Sequence, residues 1–363
     1  MEPLGPHELA YVFAQLTDPA DMARVRAVCH EWRDIMSPPH INGAPLTDVL
    51  RLTPNEILET ACRANSIELV KYAISSGATN FDRGLRKACK GGHIKMVKLL
   101  MSRGATDFDC GLSGACRGGH KEIVELMCEL GATYFNRGLS SACLGGHKEM
   151  VNFMISRGAT DFDRSLYSAC KGGHIELAEL MCELGATDFN HGLYYACRNG
   201  RKDTAELMIS HGATDFDGGL YAACESDHKD IVELMCELGA TNFNSGLTIA
   251  CFEGCNDIVD LMLKHGATDF NGGLYNACSG GHKELAELMI SCGATDFYSG
   301  FKSACECGQK EMALLMCDYG ATDLADGLEF VCKYKHTDVA KLIGRRIPTA
   351  VCDHCGRLGA EHV

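Results

Sequence analysis

The stretch from Gly280 to Phe297, GGHKELAELMISCGATDF, brings His282, Glu284, Glu287, Cys292 and Asp296 close together in the chain. A histidine two residues before a glutamate is the spacing with which a metal-bound histidine and a general-acid carboxylate activate water, provided that a P-C-x-x-C pair completes the zinc ligands. No P-C-x-x-C occurs in the sequence. The arrangement also recurs as HKE at His120 and His147 and as HIE at His174, while other copies carry Arg201, Cys255 or Gln309 in the place of the histidine. A catalytic group is not interchangeable in this way, so the motif reads as a helix start. Of the 22 cysteines, eleven recur at intervals of 27 residues, from Cys62 through Cys89 and Cys116 to Cys332. In a reducing compartment a thiol at such a position acts as a small hydrophobe in a tight helix contact, so no disulfide framework and no metal is expected there. Cys352-x-x-Cys355, with His354 and His362 nearby, supplies two of the four ligands a structural zinc needs, and residues 348–363 therefore read as a mobile tail. No single-copy nucleophile, phosphate loop or paired carboxylate emerges, and the sequence points away from an enzyme and from any cofactor.

The elements that hold these residues follow from the repeat. Each unit runs roughly G-L-x-x-A-C-x-G-G-H-x-E-(I/L)-(V/A)-E-L-M-x-x-x-G-A-T-D-F-(D/N)-x, starting near Ile57 and then at Gly84, Gly111 and so on to Gly327, for eleven copies without insertions. Leu85, Ala88 and Cys89 stand at i, i+3 and i+4 and share one helical face; Arg86, Lys87 and Lys90 lie opposite. Ile123, Val124, Leu126, Met127 and Leu130 make a second helix whose apolar stripe is wide enough to be covered on both sides. Gly-Ala closes that helix. Asp82, Asp109, Asn136 and their equivalents are expected to cap the next first helix, and Phe81, Phe108 and their equivalents to pack in the short link between repeats. A lone unit cannot bury both of its faces, so the units must stack. The expected architecture is an all-α solenoid over 57–347, preceded by a small helical module over 1–40 and a proline-containing linker over 41–56.

Among 363 residues, 46% are hydrophobic and 23% charged, and the formal net charge is −14. That balance argues against a general affinity for nucleic acid or anionic lipid. No apolar run is long enough to span a bilayer and the N-terminus lacks a signal-peptide layout, so a cytoplasmic or nuclear, monomeric protein is expected.

The pattern G-L-x-x-A-C-x-G-G-H-x-E-(I/V)-(V/A)-x-L-(L/M)-x-x-x-G-A resembles the ankyrin repeat, shortened from 33 residues by loss of the segment around the β-turn. Shortened repeats of this kind are similar to those of large DNA viruses. The resemblance implies a protein partner held on the surface lined by the first helices. There the side chains differ from copy to copy: Arg86, Lys90 and Arg117, then Tyr167, Tyr194, Tyr195, Tyr221 and Tyr275. Tyrosine and arginine are enriched at interface hot spots. Arg83, Arg137 and Arg164 in the links add positive charge, which suits an acidic segment in the partner.

Residues 1–40 break the period. Leu9, Val12, Phe13 and Leu16 share a helical face, Asp18-Pro19 marks a turn, and a second amphipathic run ends in Val28, Cys29 and Trp32. This stretch resembles the F-box, with Pro6, Glu8, Leu9, Phe13, Leu16, Val28, Cys29 and Trp32 on its pattern and Gly5 inserted after Leu4. The F-box implies docking on the Skp adaptor of a cullin ubiquitin ligase through Pro6, Leu9, Phe13, Leu16, Val28 and Trp32, with the repeats holding the substrate. The alternative is an ankyrin scaffold that sequesters a partner, its N-terminal helices serving as a cap.

Overall fold

The computed structural model describes residues 52–322 and 324–347, Cys352 and His354, and the backbone of 40–41 and 44–45. The two helices expected within 1–40, and with them Pro6, Leu9, Phe13, Leu16, Val28 and Trp32, lie outside the described residues. Among the described residues twenty-two helices follow one another in eleven pairs. The all-α expectation holds but for a two-residue antiparallel bridge, His40–Ile41 with Ala44–Pro45, where the stretch read as a helical module meets the one read as linker. The first pair opens at Pro54, ahead of the expected Ile57, because Thr53 and Glu56 start the helix there. The Glu56 carboxylate accepts from the Thr53 backbone N–H at 2.8 Å and from its hydroxyl at 2.7 Å. Two compact units divide the chain, Met1–Thr187 and Asp188–Val363. The first carries five helix pairs, from Pro54–Arg63 to Ile175–Glu183, and the second six, from Phe189–Arg198 to Thr337–Arg346.

One repeat explains the rest. The first helix, Phe81–Lys90, buries Leu85, Ala88 and Cys89; the second, Ile94–Ser102, buries Met96, Val97 and Leu100. Each large aliphatic side chain so buried contributes about 1.5–3 kcal/mol. The cysteine works at the seam: a methyl group added at Gly111 of the following repeat would sit 3.4 Å from Cys89 Sγ and 2.5 Å from Met127 Sδ. Glycine and thiol are the small pair that lets neighbouring first helices close. The second helix ends at Gly104, with φ of 99°, and the Ala105 N–H reaches back to the Leu100 carbonyl at 3.1 Å. This is the left-handed closure expected of Gly-Ala.

Two expectations about the link are corrected. The capping residue is the one before the phenylalanine, not the one after it: Asp107 Oδ1 accepts from Cys110 N–H at 2.8 Å, and Asn80, Asp161, Asp215 and Asp269 act likewise. Phe81, Phe108 and their equivalents are the first helical residues rather than link residues. Asp82, Asp109 and Asn136 therefore lie inside the helix, and their side chains reach forward to the next repeat instead. Asp82 Oδ1 accepts from the backbone N–H of Thr106 at 2.7 Å and of Asp107 at 2.9 Å. Asn55, Asp109, Asn136, Asn190, Asp217, Asn244 and Asn271 bind the next link in the same way. Otherwise exposed link amides thereby gain a partner.

The histidine of GGH holds the other end of the first helix. His120 Nε2 donates to the Lys90 carbonyl of the preceding repeat at 3.0 Å, His282 to Phe252 at 3.0 Å and His336 to Glu306 at 2.9 Å. Where Gln309 replaces histidine, its Nε2 donates to Ser279 at 3.2 Å, which is why the substitution is tolerated. The tail departs from expectation at one described position: Cys352 is buried, its Sγ 3.9 Å from the Leu328 carbonyl. No helix among the described residues is long and apolar enough to cross a membrane.

Candidate protein-interaction surface

The first helices turn two faces to their surroundings, one packed between repeats and one open. In the first compact unit the open face is charged. Arg86 and Lys90 are exposed on Phe81–Lys90, and Arg117 is half-buried in the last turn of Phe108–Gly118. Glu59 answers part of this charge, 3.2 Å from Arg83 and 3.8 Å from Lys87. Tyr167 lies farther along the same unit and is half-buried.

In the second unit several of the equivalent positions are aromatic. Tyr194 and Tyr195 stack edge to face, ring centroids 5.5 Å apart. Tyr221 is 39% exposed, Phe252 40% and Tyr275 38%. Tyr221 has its phenol pushed above the ordinary value by burial, then by Glu225 and by Tyr194, so these three side chains share one neighbourhood. Glu225 Oε1 accepts from Arg198 at 3.0 Å, and its buried Oε2 has no hydrogen-bond partner among the described residues. The position of Tyr194, Tyr221 and Tyr275 holds Arg86, Ser113, Ser140, Thr248 or Lys302 in other repeats, so the fold does not demand an aromatic ring there. Exposed Leu130, Leu184 and Leu238 stand just past the second helix in alternate copies, at a position that holds Arg103, Arg157, His211 or His265 elsewhere.

Two features escaped the motif reading. Phe252 stands where Lys90 and Arg117 stand in other copies, and Tyr134 replaces the capping aspartate before Phe135. Tyr134 is 61% exposed and lines a cleft of about 570 Å³ together with Thr133, Phe135, Asn136, Arg137, Gly158 and Arg164. Alignment of the eleven copies position by position would have singled out both. The residues that first suggested metal or catalytic chemistry come apart. His282 binds a backbone carbonyl, and among the described residues no group of three or more His, Cys, Asp or Glu is placed to hold a metal ion. Burial pushes the Cys89 and Cys116 thiols up to about 12, far from a nucleophilic thiolate at neutral pH.

Residues 139–218, 166–245 and 193–272 each match the family model described as ankyrin repeats, in three overlapping copies. Residues 139–272 are thus similar to ankyrin repeats. Within each unit the helix pairs have the corresponding solenoid architecture, a fold that typically serves as a protein-binding scaffold. The crystal structure of the human ASB11 ankyrin repeat domain is similar at 23% identity, covering 49% of this chain and 96% of that chain, with a TM-score of 0.33. No curated protein matches the chain. The repeats present two chemically distinct first-helix faces, one cationic and one aromatic.

Proposed function

We propose that this protein is a substrate receptor of a Skp-cullin-F-box ubiquitin ligase: the ankyrin repeats hold a protein partner on their first-helix faces, and residues 1–40 engage the Skp adaptor. The observation that carries the partner-binding part is the set of exposed rings Tyr221, Phe252 and Tyr275 on helices whose other copies do without them. Aromatic side chains offer large contact area with few rotors, and such anchors commonly cost about 2 kcal/mol or more when truncated. The ligase part rests on Pro6, Leu9, Phe13, Leu16, Val28 and Trp32 as they match the F-box pattern. On this reading the protein works as a monomer in the cytoplasm or nucleus, in a host cell if the likeness to viral repeats reflects its source, and catalysis belongs to its partners. The inserted Gly5 favours the second reading, a scaffold that sequesters its partner while the N-terminal helices only cap the stack.

Affinity purification of the full chain, of a form lacking residues 1–40 and of a Pro6→Ala, Leu9→Ala form separates the two. The receptor reading expects the Skp adaptor with the full chain alone and the same cargo with all three. Failure of the purified full chain to retain the adaptor leaves the scaffold. Tyr194→Ala with Tyr221→Ala should weaken cargo capture roughly tenfold or more while the thermal midpoint stays unchanged. A collapse in stability instead would make the rings structural.

A further inference from the structure

The charged face of the first unit supports a more specific statement, which rests on the reading that first-helix faces hold a protein partner. Arg63 ends the opening first helix, Pro54–Arg63; Arg86, Lys87 and Lys90 lie on the next, Phe81–Lys90; Arg117 is in the last turn of the third, Phe108–Gly118. Glu59 meets Lys87, but Arg63, Arg86, Lys90 and Arg117 form no ion pair among the described residues. Elsewhere the chain does pair its cations across repeats, with Lys121 to Glu149 at 2.6 Å in the same unit and Arg198 to Glu225 at 3.0 Å in the other. Cations at a helix C-terminus complement its dipole, which accounts for Arg63, Lys90 and Arg117 singly. The dipole does not account for Arg86, a turn further in, or for the missing acids in a chain of net charge −14.

The packing makes the crowding worse. Gly114 stands where other repeats carry Ser141, Ser168 or Ile249, and a Cβ there would strike the Arg86 carbonyl oxygen. The two helices thus approach backbone to backbone, and this draws the row bearing Arg117 towards Lys90. Burial holds the Lys90 ammonium below its ordinary range, and so does repulsion from Arg117, Lys87, Arg63 and Arg86. The free protein carries like charges held together, and Glu59, beside Arg83 and Lys87, answers only part of them.

We propose that this face docks an acidic segment of the partner, a stretch with several Asp or Glu side chains close in sequence. Carboxylates would engage the guanidinium and ammonium donors and relieve repulsion already present, so that encounter is electrostatically steered and falls with salt. Nucleic acid is the competing polyanion. A long strand would also meet the acidic remainder of the molecule, whereas a short peptide meets the local field alone.

The test titrates full-length protein with a fluorescein-labelled peptide of about ten residues rich in Asp and Glu, beside its Asn/Gln counterpart and an oligothymidylate strand. The acidic peptide should bind, and weaken about tenfold or more between about 0.05 M and 0.5 M salt. Arg86→Glu with Lys90→Glu and Arg117→Glu should weaken it by more than about tenfold, whereas Lys264→Glu with Lys310→Glu, exposed in the other unit, should change nothing. Arg86→Gln with Lys90→Gln, a milder change, should still weaken binding about threefold and guards against misfolding of the reversed form. Equal binding of the amide peptide, indifference to the substitutions in folded protein, or equal competition by oligothymidylate overturns the proposal. Because the titration needs no cellular cargo, its outcome is independent of the purification that tests the receptor reading.

Discussion

Within the 27-residue series, Cys62, Cys89, Cys116, Cys197, Cys224, Cys251, Cys278 and Cys305 face a glycine of the following repeat, and the acidity of the buried thiols follows from such packing. Burial raises Cys62, Cys89, Cys143, Cys197, Cys224 and Cys278 from an ordinary value near 9 to about 12. The unfolded chain would release these protons near pH 9 while the folded one keeps them to about 12, so stability is at full value below pH 9 and drains away as pH rises through that window. Urea midpoints should thus be flat from about pH 7 to 8.5 and fall steeply above about 9, and iodoacetamide at neutral pH should label exposed Cys307 well before the buried series. Fast labelling of the series in folded protein would show that the seams open. One pair of residues shows how neighbours adjust together. In most repeats a left-handed glycine makes room for the next histidine ring, as Gly92 does for His120. Asp227 takes that glycine position with φ of 59°, and the following repeat carries Cys255 instead of a histidine. A small thiol fits where a ring would meet the aspartate side chain, and the thiol hydrogen-bonds to Asp227.

At the scale of the helix, the departure at Tyr134 has a measurable cost. The helix Phe135–Gly145 has no side-chain cap, whereas Phe108–Gly118 and Phe162–Gly172 are capped by Asp107 and Asp161. Tyr134→Asp should restore the cap and stabilise the protein by about 1 kcal/mol, read as a rise in the urea midpoint with an unchanged slope. No gain would mean that the tyrosine ring packs well enough to offset the missing acceptor. The helix pairs themselves were legible from the sequence because Leu85, Ala88 and Cys89 repeat at helical spacing and Gly-Ala closes the second helix. The roles of the two acidic residues flanking phenylalanine were not. Asp107 and Asp109 are both short acceptors within one turn, and only the three-dimensional course of the link decides which caps its own helix and which reaches the next repeat.

For the whole molecule, repetition made the architecture legible and hid the surface. A residue present in every copy announces packing, while Arg86, Tyr221 or Phe252 announces itself only against the other copies, and its exposure needs coordinates. The histidines and cysteines that looked most like chemistry proved to be the mortar. Chemical individuality lies in the first-helix faces, cationic in one unit and aromatic in the other. The aspartate and asparagine contacts between repeats also leave a mark on the time axis. The amides of Thr79, Thr106, Thr133, Thr160, Thr187, Thr214, Thr241, Thr268 and Thr295 each donate to the carboxylate or amide oxygen of the residue 24 places earlier. They lie in short exposed links, where deuterium would ordinarily replace protons within seconds to minutes, yet each can be released only by parting two repeats. In heavy water these threonines should keep their protons as long as the helices around them, marking the sequence with slow sites every 27 residues, and Asp82→Ala should turn Thr106 fast while leaving the others slow.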